Sequence, residues 1–306
     1  MNRLLPMAMT SLLLSVGPTW AGLYEDGSAA LSRGDHAEAV KWYRLAASQG
    51  HAKAQFSLGV MYYFGSAVTP KDYPEAAKWL RLAAVQGNSV AQNMLAVMYD
   101  NGEGVAQDYA EAAKWYRLAA TLEDAKTQFR LGVMYYFGQG VAQDYAEAAK
   151  WYRLAAAQGH ASAQSRLGGM YCLGEGVPQD WAEALKWLRR ASAQGEAVAQ
   201  LGLGVMYSEG QGVEKDYAEA VKWYRLAAVQ GLAGAQYLLG YAYYGGQGAA
   251  QDYVRAHMWL NPAAVSGDAD AVKGRDIVAK QMTPQRIAEA QNMARDCQQR
   301  NFKGCD

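Results

Sequence analysis

The chain has no excess of either charge, because 29 lysines and arginines are matched by 29 aspartates and glutamates. Proteins that bind nucleic acid through its phosphates usually carry a basic surface or tail. The balanced composition, which also lacks an acidic tail, therefore gives no indication of a nucleic-acid partner. Proline is scarce as well, at 7 of 306 residues, which suits an ordered helical protein.

Residues that commonly carry catalysis or bind metals are few and scattered. The four histidines are His36, His51, His160 and His257, and no two have the spacing of metal ligands. No Gly-x-Ser-x-Gly, Ser-x-x-Lys or P-loop motif occurs. Recurring Gly-x-Gly-Val segments lack the strand that precedes a phosphate-binding loop. The sequence therefore predicts no metal site, no cofactor and no enzymatic activity.

Cysteine is also rare, with three in the whole chain. Cys297 and Cys305 lie eight residues apart in the C-terminal tail, and in an exported protein they could form a disulfide that closes a small loop. The alternative is two free thiols on a frayed end. Cys172 stands alone, and we expect a small, partly buried residue there.

The chain also lacks an apolar run long enough to span a membrane. Arg3 precedes a run from Leu4 to Val16 of about thirteen residues, whereas a span needs roughly twenty. Small residues ending at Ala21 follow this run. The pattern is typical of a secretory signal peptide over residues 1–21, so we expect cleavage after Ala21 and a periplasmic or secreted protein. Retention of the segment as a membrane anchor is the alternative.

What the chain has in place of these features is one segment, repeated. A tryptophan returns every 36 residues, at Trp79, Trp115, Trp151, Trp187, Trp223 and Trp259. A Leu-Gly pair recurs at Leu58-Gly59, Leu131-Gly132, Leu167-Gly168, Leu203-Gly204 and Leu239-Gly240, with Leu95-Ala96 as the variant. A fixed period in this range predicts a solenoid, in which each unit buries its apolar face only against its neighbours.

Within one unit, residues 124–159, the apolar spacing predicts two helices. Leu131 and Tyr135 belong to a stripe with three- and four-residue spacing, and a following Gly-x-Gly can supply the left-handed residue that ends a helix. Asp144 is the predicted N-cap of the second helix, whose alanine stripe leaves a space for Trp151. The equivalent cap residues are Asp72, Asp108, Asp180, Asp216 and Asp252. The glycines predicted to close the second helices are Gly50, Gly87, Gly159, Gly195, Gly231 and Gly267.

The two ends of the chain depart from this pattern. Residues 22–50 are predicted to form a shortened first repeat that caps one end, and residues 51–267 hold six full repeats. In the last of these, Pro262 should kink the second helix or end it early. Residues 268–306 are predicted to form capping helices and a tail, with one helix starting at Thr283-Pro284. These helices would cover the open end of the solenoid.

The repeat consensus AxAQxxLGxMYxxGxGVxxDYxxAxxWYRxAAxxG resembles the Sel-1-like repeat family, a relative of the tetratricopeptide repeat. The resemblance covers roughly residues 51–267. It implies an all-α protein, an α/α superhelical solenoid of helix-turn-helix repeats that binds other proteins or acts as an adaptor. Cysteine-rich bacterial members of the family carry a cysteine pair in nearly every repeat. This chain does not, so their disulfide-linked architecture cannot be carried over.

The resemblance also implies where a partner would bind. In tetratricopeptide-like superhelices the first helices line a concave groove, and in this chain the residues around the first-helix leucine vary from repeat to repeat. These positions are Phe56, Tyr63, Asn93, Asp100, Phe129, Tyr136, Ser165, Cys172, Leu201, Ser208, Tyr237 and Tyr244. Exposed aromatic side chains there would suit peptide recognition. The alternative is that they pack against the first helix of the adjacent repeat.

We therefore expect a monomeric, non-enzymatic scaffold or adaptor of the bacterial envelope that binds a protein or peptide on its concave face. A second hypothesis is a cell-wall ligand binder or weak β-lactam hydrolase, because the cysteine-rich relatives have been linked to penicillin binding and weak hydrolysis. No arrangement of nucleophile and base supports it in this sequence. A third is a secreted factor that acts on host cells, which differs from the first in destination alone.

Overall fold

The protein is built from antiparallel helical hairpins. A computed structural model describes residues 20–66, 68–120, 124–302 and 304–305, and these residues contain sixteen α-helices and no β-strand. The helices are α1 (Trp20–Ser32), α2 (His36–Ser48), α3 (Ala52–Phe64), α4 (Tyr73–Val85), α5 (Ser89–Asn101), α6 (Tyr109–Ala119), α7 (Ala125–Phe137), α8 (Tyr145–Ala157), α9 (Ala161–Leu173), α10 (Trp181–Ser192), α11 (Ala197–Glu209), α12 (Tyr217–Ala228), α13 (Ala233–Gly245), α14 (Tyr253–Val265), α15 (Ala269–Ala279) and α16 (Pro284–Gln299).

The chain divides into two compact units, Met1–Leu122 with α1–α6 and Glu123–Asp306 with α7–α16. Within each unit the first helix of a hairpin packs along its second helix, and the second packs on the first helix of the next hairpin. In the second unit α9 also contacts α11, and α13 contacts α15, so these first helices share one layer. Each unit is thus an all-α repeat solenoid, as the 36-residue period predicts.

Short-range capping interactions set the ends of the helices. The carboxylate of Asp144 accepts a hydrogen bond from the backbone amide of Glu147 at 2.9 Å, and Gly138 ends α7 in the left-handed conformation at φ 70°. Each of the six predicted cap aspartates accepts such a bond. The predicted closing glycines all have positive φ. Both predictions are confirmed. They could be made from the sequence because a cap depends only on residues within one turn.

In the α7–α8 hairpin the residue after the tryptophan fills the centre. Tyr152 is fully buried, whereas Trp151 is only partly buried, so the prediction that Trp151 fills this space is wrong. Gly132 supplies the physical reason, because a Cβ on it would lie 2.6 Å from Cδ1 of Tyr152. The missing side chain lets the tyrosine ring reach the first helix. Gly204 faces Tyr224 in the same way, at 2.5 Å.

The second glycine of the Gly-x-Gly loop allows neighbouring hairpins to approach each other. Gly176 has φ 67°, and a Cβ on it would lie 2.2 Å from the carbonyl carbon of Tyr145, at the start of α8. In the first unit Gly104 lies against Tyr73 with a corresponding distance of 2.3 Å. Since no side chain fits such a gap, these glycines serve contact between hairpins.

The C-terminal end corrects one prediction and supports another. α14 continues through Pro262 to Val265, so of the two expected effects of the proline the early end does not occur, and the kink stays a prediction. Pro262 lies in the last turn of α14, so the amide hydrogen bond that proline cannot make is lost close to the end of the helix, where the backbone hydrogen bonding stops in any case. α15 and α16 both pack on α14, and the hydroxyl of Thr283 accepts from the amide of Arg286 at 3.3 Å, capping α16 as predicted.

The predicted signal peptide lies outside the described residues except for Trp20 and Ala21, which are the first residues of α1. Within the described part of the chain, no helix has both the length and the apolar character needed to cross a membrane.

Candidate partner-binding surface

The positions predicted to face a partner all lie on first helices. In the first unit α3 carries Phe56 and Tyr63, and α5 carries Asn93 and Asp100. In the second unit they are Phe129 and Tyr136 on α7, Ser165 and Cys172 on α9, Leu201 and Ser208 on α11, and Tyr237 and Tyr244 on α13. Most of these side chains are half-buried, while Asp100 and Ser165 are buried. In each unit these side chains are therefore partly covered rather than free.

The aromatic residues of α7 make extensive contacts inside the second unit. The ring of Phe129 stacks on His160 with centroids 4.6 Å apart, and it lies 5.7 Å from Tyr152. Tyr136 contacts Tyr145 at 5.0 Å between centroids. Phe129 thus packs on the second helix of its own hairpin and on the cap residue of the next one, while Tyr136 packs on the second helix of its own hairpin. Both rings are therefore partly covered by the repeat itself.

A tyrosine on a first helix also binds the loop of the next hairpin. The hydroxyl of Tyr136 donates a hydrogen bond to Oε2 of Glu175 at 2.7 Å, and in the first unit Tyr63 donates to Glu103 at 2.8 Å. Burial and this hydrogen bond raise the pKa of each tyrosine to about 12. The glutamates were not predicted from the sequence, since capping and local pairs involve residues within one turn.

Asp100 points into the first unit rather than towards a partner. It is buried, and its carboxylate accepts from the hydroxyl of Tyr116 at 3.2 Å. Gln107 donates to its backbone carbonyl at 2.7 Å. Asp100 therefore fixes the packing of α5 on α6.

In the second unit a cleft opens beside the first helix α9. It has a volume of about 610 Å³ and lies between α9, α10 and α11. Buried Leu188 and Met206 form part of its lining, together with half-buried Leu201. Two apolar side chains of the lining stay exposed to water, Leu173 by 68% and Val198 by 49%. The cleft therefore offers a concave, mainly apolar surface of the size that ligand sites have.

The cleft arises because α9 carries small residues at three positions where α7 and α13 carry larger ones. Ser165, Gly169 and Cys172 all line it. With the 36-residue period, Phe129, Val133 and Tyr136 occupy the equivalent positions of α7, and Tyr237, Tyr241 and Tyr244 those of α13. The small residues of α9 can be seen when the repeats are compared, but a small residue does not by itself predict an open cleft, because neighbouring side chains can fill the space.

The polar groups of the cleft do not form a reactive centre. Cys172 is a free, half-buried cysteine, and burial raises the pKa of its thiol to about 11, so the thiol stays protonated at neutral pH. Gln179 donates to the carbonyl of Cys172 at 2.8 Å. The hydroxyl of Ser165 is buried and forms no hydrogen bond within the described residues. No group of histidine, cysteine, aspartate or glutamate among those residues could hold a metal ion.

The sequence of this solenoid matches a known family of repeat proteins. The model of the Sel1 repeat matches seven consecutive segments, residues 20–51, 52–88, 89–124, 125–160, 161–196, 197–232 and 233–268. The chain belongs to the Sel1 repeat family. Proteins of this family are generally non-catalytic scaffolds for protein interactions. A comparison with curated proteins found no match.

Two solved structures illustrate the likeness of this Sel1 repeat protein to its relatives. A Sel1 repeat protein from Oxalobacter formigenes shares 34% identity over 78% of this chain and 96% of its own, with a TM-score of 0.66. The protein c5321, a protective antigen of uropathogenic Escherichia coli strains that displays an SLR fold, shares 31% identity. That match covers 94% of this chain and 78% of c5321, with a TM-score of 0.42.

Proposed function

We propose that this Sel1 repeat protein is a non-enzymatic scaffold that binds a segment of a partner protein on the first helices of its second unit. The binding surface is centred on the cleft between α9 and α11. The observation that carries the proposal is the exposure of Leu173 and Val198, by 68% and 49%, beside a mainly apolar cavity. Large apolar side chains left in water around a concave surface are typical of interaction sites.

A binding role fits the chemistry of the cleft better than a catalytic one. A thiol nucleophile reacts as the thiolate, whereas burial raises the pKa of Cys172 to about 11. The surface instead combines exposed apolar groups with buried apolar groups beneath them, an arrangement that suits the anchor residues of a protein partner.

We further propose that the protein works in the bacterial envelope after export. Two features support this location. The first is the signal-peptide pattern over residues 1–21. The second is the pairing of Cys297 with Cys305, whose Cα atoms lie 5.5 Å apart, because structural disulfides persist in oxidising compartments such as the periplasm.

The experiment compares two double variants of the mature protein as bait in a periplasmic extract. Leu173→Asp with Val198→Asp places two charges beside the cleft. Leu154→Asp with Leu226→Asp is the matched control, since these leucines are exposed by 48% and 47% on the second helices α8 and α12. All four positions are exposed, so we expect both variants to fold.

Quantitative mass spectrometry should find proteins that the wild-type and control baits enrich and that the cleft variant loses. Circular dichroism should show equal helix content for all three proteins. If the cleft variant enriches the same proteins to the same extent as wild type, the first-helix surface is not the binding site and the proposal fails.

A further inference from the structure

The repeats of the second unit show which kind of side chain fits the cleft. In α7 the ring of Tyr136 packs on Tyr145, and in α13 Tyr244 packs on Tyr253 at 5.8 Å between centroids. At the equivalent position α9 has Cys172, and one turn earlier it has Gly169. The protein therefore fills this space with aromatic rings in two hairpins and leaves it open in a third.

A second, independent observation is an unpartnered polar group in the same cleft. Ser165 is only 5% exposed, lines the cleft, and its Oγ is buried without a hydrogen-bond partner among the described residues. A buried hydroxyl without a partner is costly, because it has lost its hydrogen bonds to water. A ligand that brings its own donor or acceptor would remove this cost.

The charge at the cleft gives a third constraint. Among the described residues that line it, Glu209 alone is charged, and its side chain is exposed. A basic residue beside the inserted side chain would therefore be attracted to the cleft, whereas an acidic one would be repelled.

We propose that the cleft binds a tyrosine side chain of the partner, followed by a basic residue. The aromatic ring occupies the space that Gly169 and Cys172 leave open, and the phenol hydroxyl forms a hydrogen bond with Ser165. The neighbouring lysine or arginine lies near Glu209. This proposal rests on the proposed function, because it names the anchor residue of the partner segment that the first helices bind.

The free cysteine makes the proposal measurable without knowledge of the partner. Cys172 lines the cleft, so a bound side chain should shield it from alkylation by iodoacetamide, measured at about pH 9 because the reactive thiolate is scarce at neutral pH. The probes are the blocked dipeptides acetyl-Tyr-Lys-amide, acetyl-Phe-Lys-amide, acetyl-Leu-Lys-amide and acetyl-Tyr-Glu-amide. At twice its Kd a ligand that blocks the thiol completely slows the reaction about threefold.

We expect the Tyr-Lys peptide to protect Cys172 most strongly. The Phe-Lys peptide should bind about fivefold more weakly, since it lacks the hydrogen bond to Ser165. The Leu-Lys and Tyr-Glu peptides should bind more weakly than Tyr-Lys, the first for lack of a ring and the second for its charge.

Two variants test the contacts separately. Ser165→Ala should abolish the preference for Tyr-Lys over Phe-Lys and keep the cleft open. Gly169→Val restores the residue that α7 and α11 carry, Val133 and Val205, and should abolish protection by every peptide. A Cβ on Gly169 meets no heavy atom within 4 Å, so we expect this variant to fold, and circular dichroism checks it.

The outcomes separate this proposal from the function on which it rests. No protection by Tyr-Lys at millimolar concentration, or equal protection by Leu-Lys, overturns the tyrosine site. If partner capture still depends on Leu173 and Val198 in that case, the scaffold function stands and another side chain is the anchor. If capture does not depend on them, the proposed function fails whatever the peptides do.

Discussion

Tyr136 on α7 donates a hydrogen bond to Glu175, a residue 39 positions later in the loop of the next hairpin, at 2.7 Å. The loop residue that follows lies against the backbone at the start of α8, because Gly176 has no side chain. One side-chain bond and one close backbone contact thus fix the same loop. The bond also explains why tyrosine at this position stabilises the repeat stack instead of remaining free for a partner.

Replacing Tyr136 with phenylalanine removes this bond and leaves the ring in place. We expect Tyr136→Phe to lower the free energy of unfolding by about 1 kcal/mol, because the carboxylate of Glu175 remains accessible to water. Glu175→Gln is the matched variant, since glutamine occupies the equivalent loop position at residues 139, 211 and 247. It should cost less than Tyr136→Phe, because the amide oxygen still accepts. Urea unfolding followed by circular dichroism measures both, and an unchanged midpoint for Tyr136→Phe would contradict the role of the bond.

The difference between what the sequence predicted and what it did not is one of distance along the chain. The bond from Asp144 to the amide of Glu147 spans three residues, and the period of 36 residues repeats it, so caps and hairpins could be predicted. The bond from Tyr136 to Glu175 links two repeats, and nothing in the local pattern pairs them. It could have been found by noting that Tyr63 and Tyr136 are each followed by a glutamate in the next loop, while Cys172 and Ser208 are followed by glutamine.

Adjacent residues of one helix presented a different problem. Trp151 and Tyr152 lie about 100° apart on the helix, and apolar periodicity alone does not say which one faces α7. Gly132 decides it, because its missing Cβ makes room for the tyrosine. The cleft was not predicted for a related reason. It results from the small size of Ser165, Gly169 and Cys172, and apolar periodicity does not indicate empty space.

The packing of Tyr152 leads to a prediction about stability. Tyr152 is fully buried, so Tyr152→Ala should lower the free energy of unfolding by about 3–5 kcal/mol. Trp151→Ala should cost less, because the indole is partly exposed. Since each repeat depends on its nearest neighbours, the loss in Tyr152→Ala should also divide unfolding into separate steps. Differential scanning calorimetry of both variants decides the order, and a larger loss for Trp151→Ala would reverse the assignment.

His257 makes stability depend on pH. The residue is 2% exposed, and burial lowers the pKa of His257, as does the positive charge of Arg275, while Asp276 opposes them. The folded pKa thus lies below the unfolded value of about 6.5. The neutral form therefore stabilises the fold above about pH 6.5, and this contribution is lost as the pH falls through the folded pKa.

Thermal unfolding between about pH 7 and about pH 5 tests this dependence. The Tm of the wild-type protein should fall more steeply than that of His257→Gln, whose side chain does not titrate. His36→Gln is the control, because His36 is exposed on α2, and its curve should run parallel to that of wild type. Parallel curves for wild type and His257→Gln would mean that His257 does not limit stability in acid.

Export predicts a defined N-terminus for the mature protein. If the signal peptide over residues 1–21 is cleaved after Ala21, N-terminal sequencing of the protein from a periplasmic fraction should begin at Gly22. Leu12→Arg interrupts the apolar run and should leave the full-length precursor inside the cell. Recovery of the wild-type chain with an intact Met1 in the cytosol would contradict export.

We expect the C-terminal disulfide to stabilise the end of the second unit. The bond between Cys297 and Cys305 keeps Phe302 stacked on buried Trp259, with ring centroids 6.5 Å apart. Opening it with Cys305→Ser releases a short loop, so we expect a loss of about 2–3 kcal/mol by the loop-entropy estimate, and a loss of the contact between Phe302 and Trp259. Thermal unfolding of the wild type should show the same loss after reduction. In denatured but unreduced protein one thiol should react, that of Cys172, and a count of three reactive thiols would show that the bond does not form.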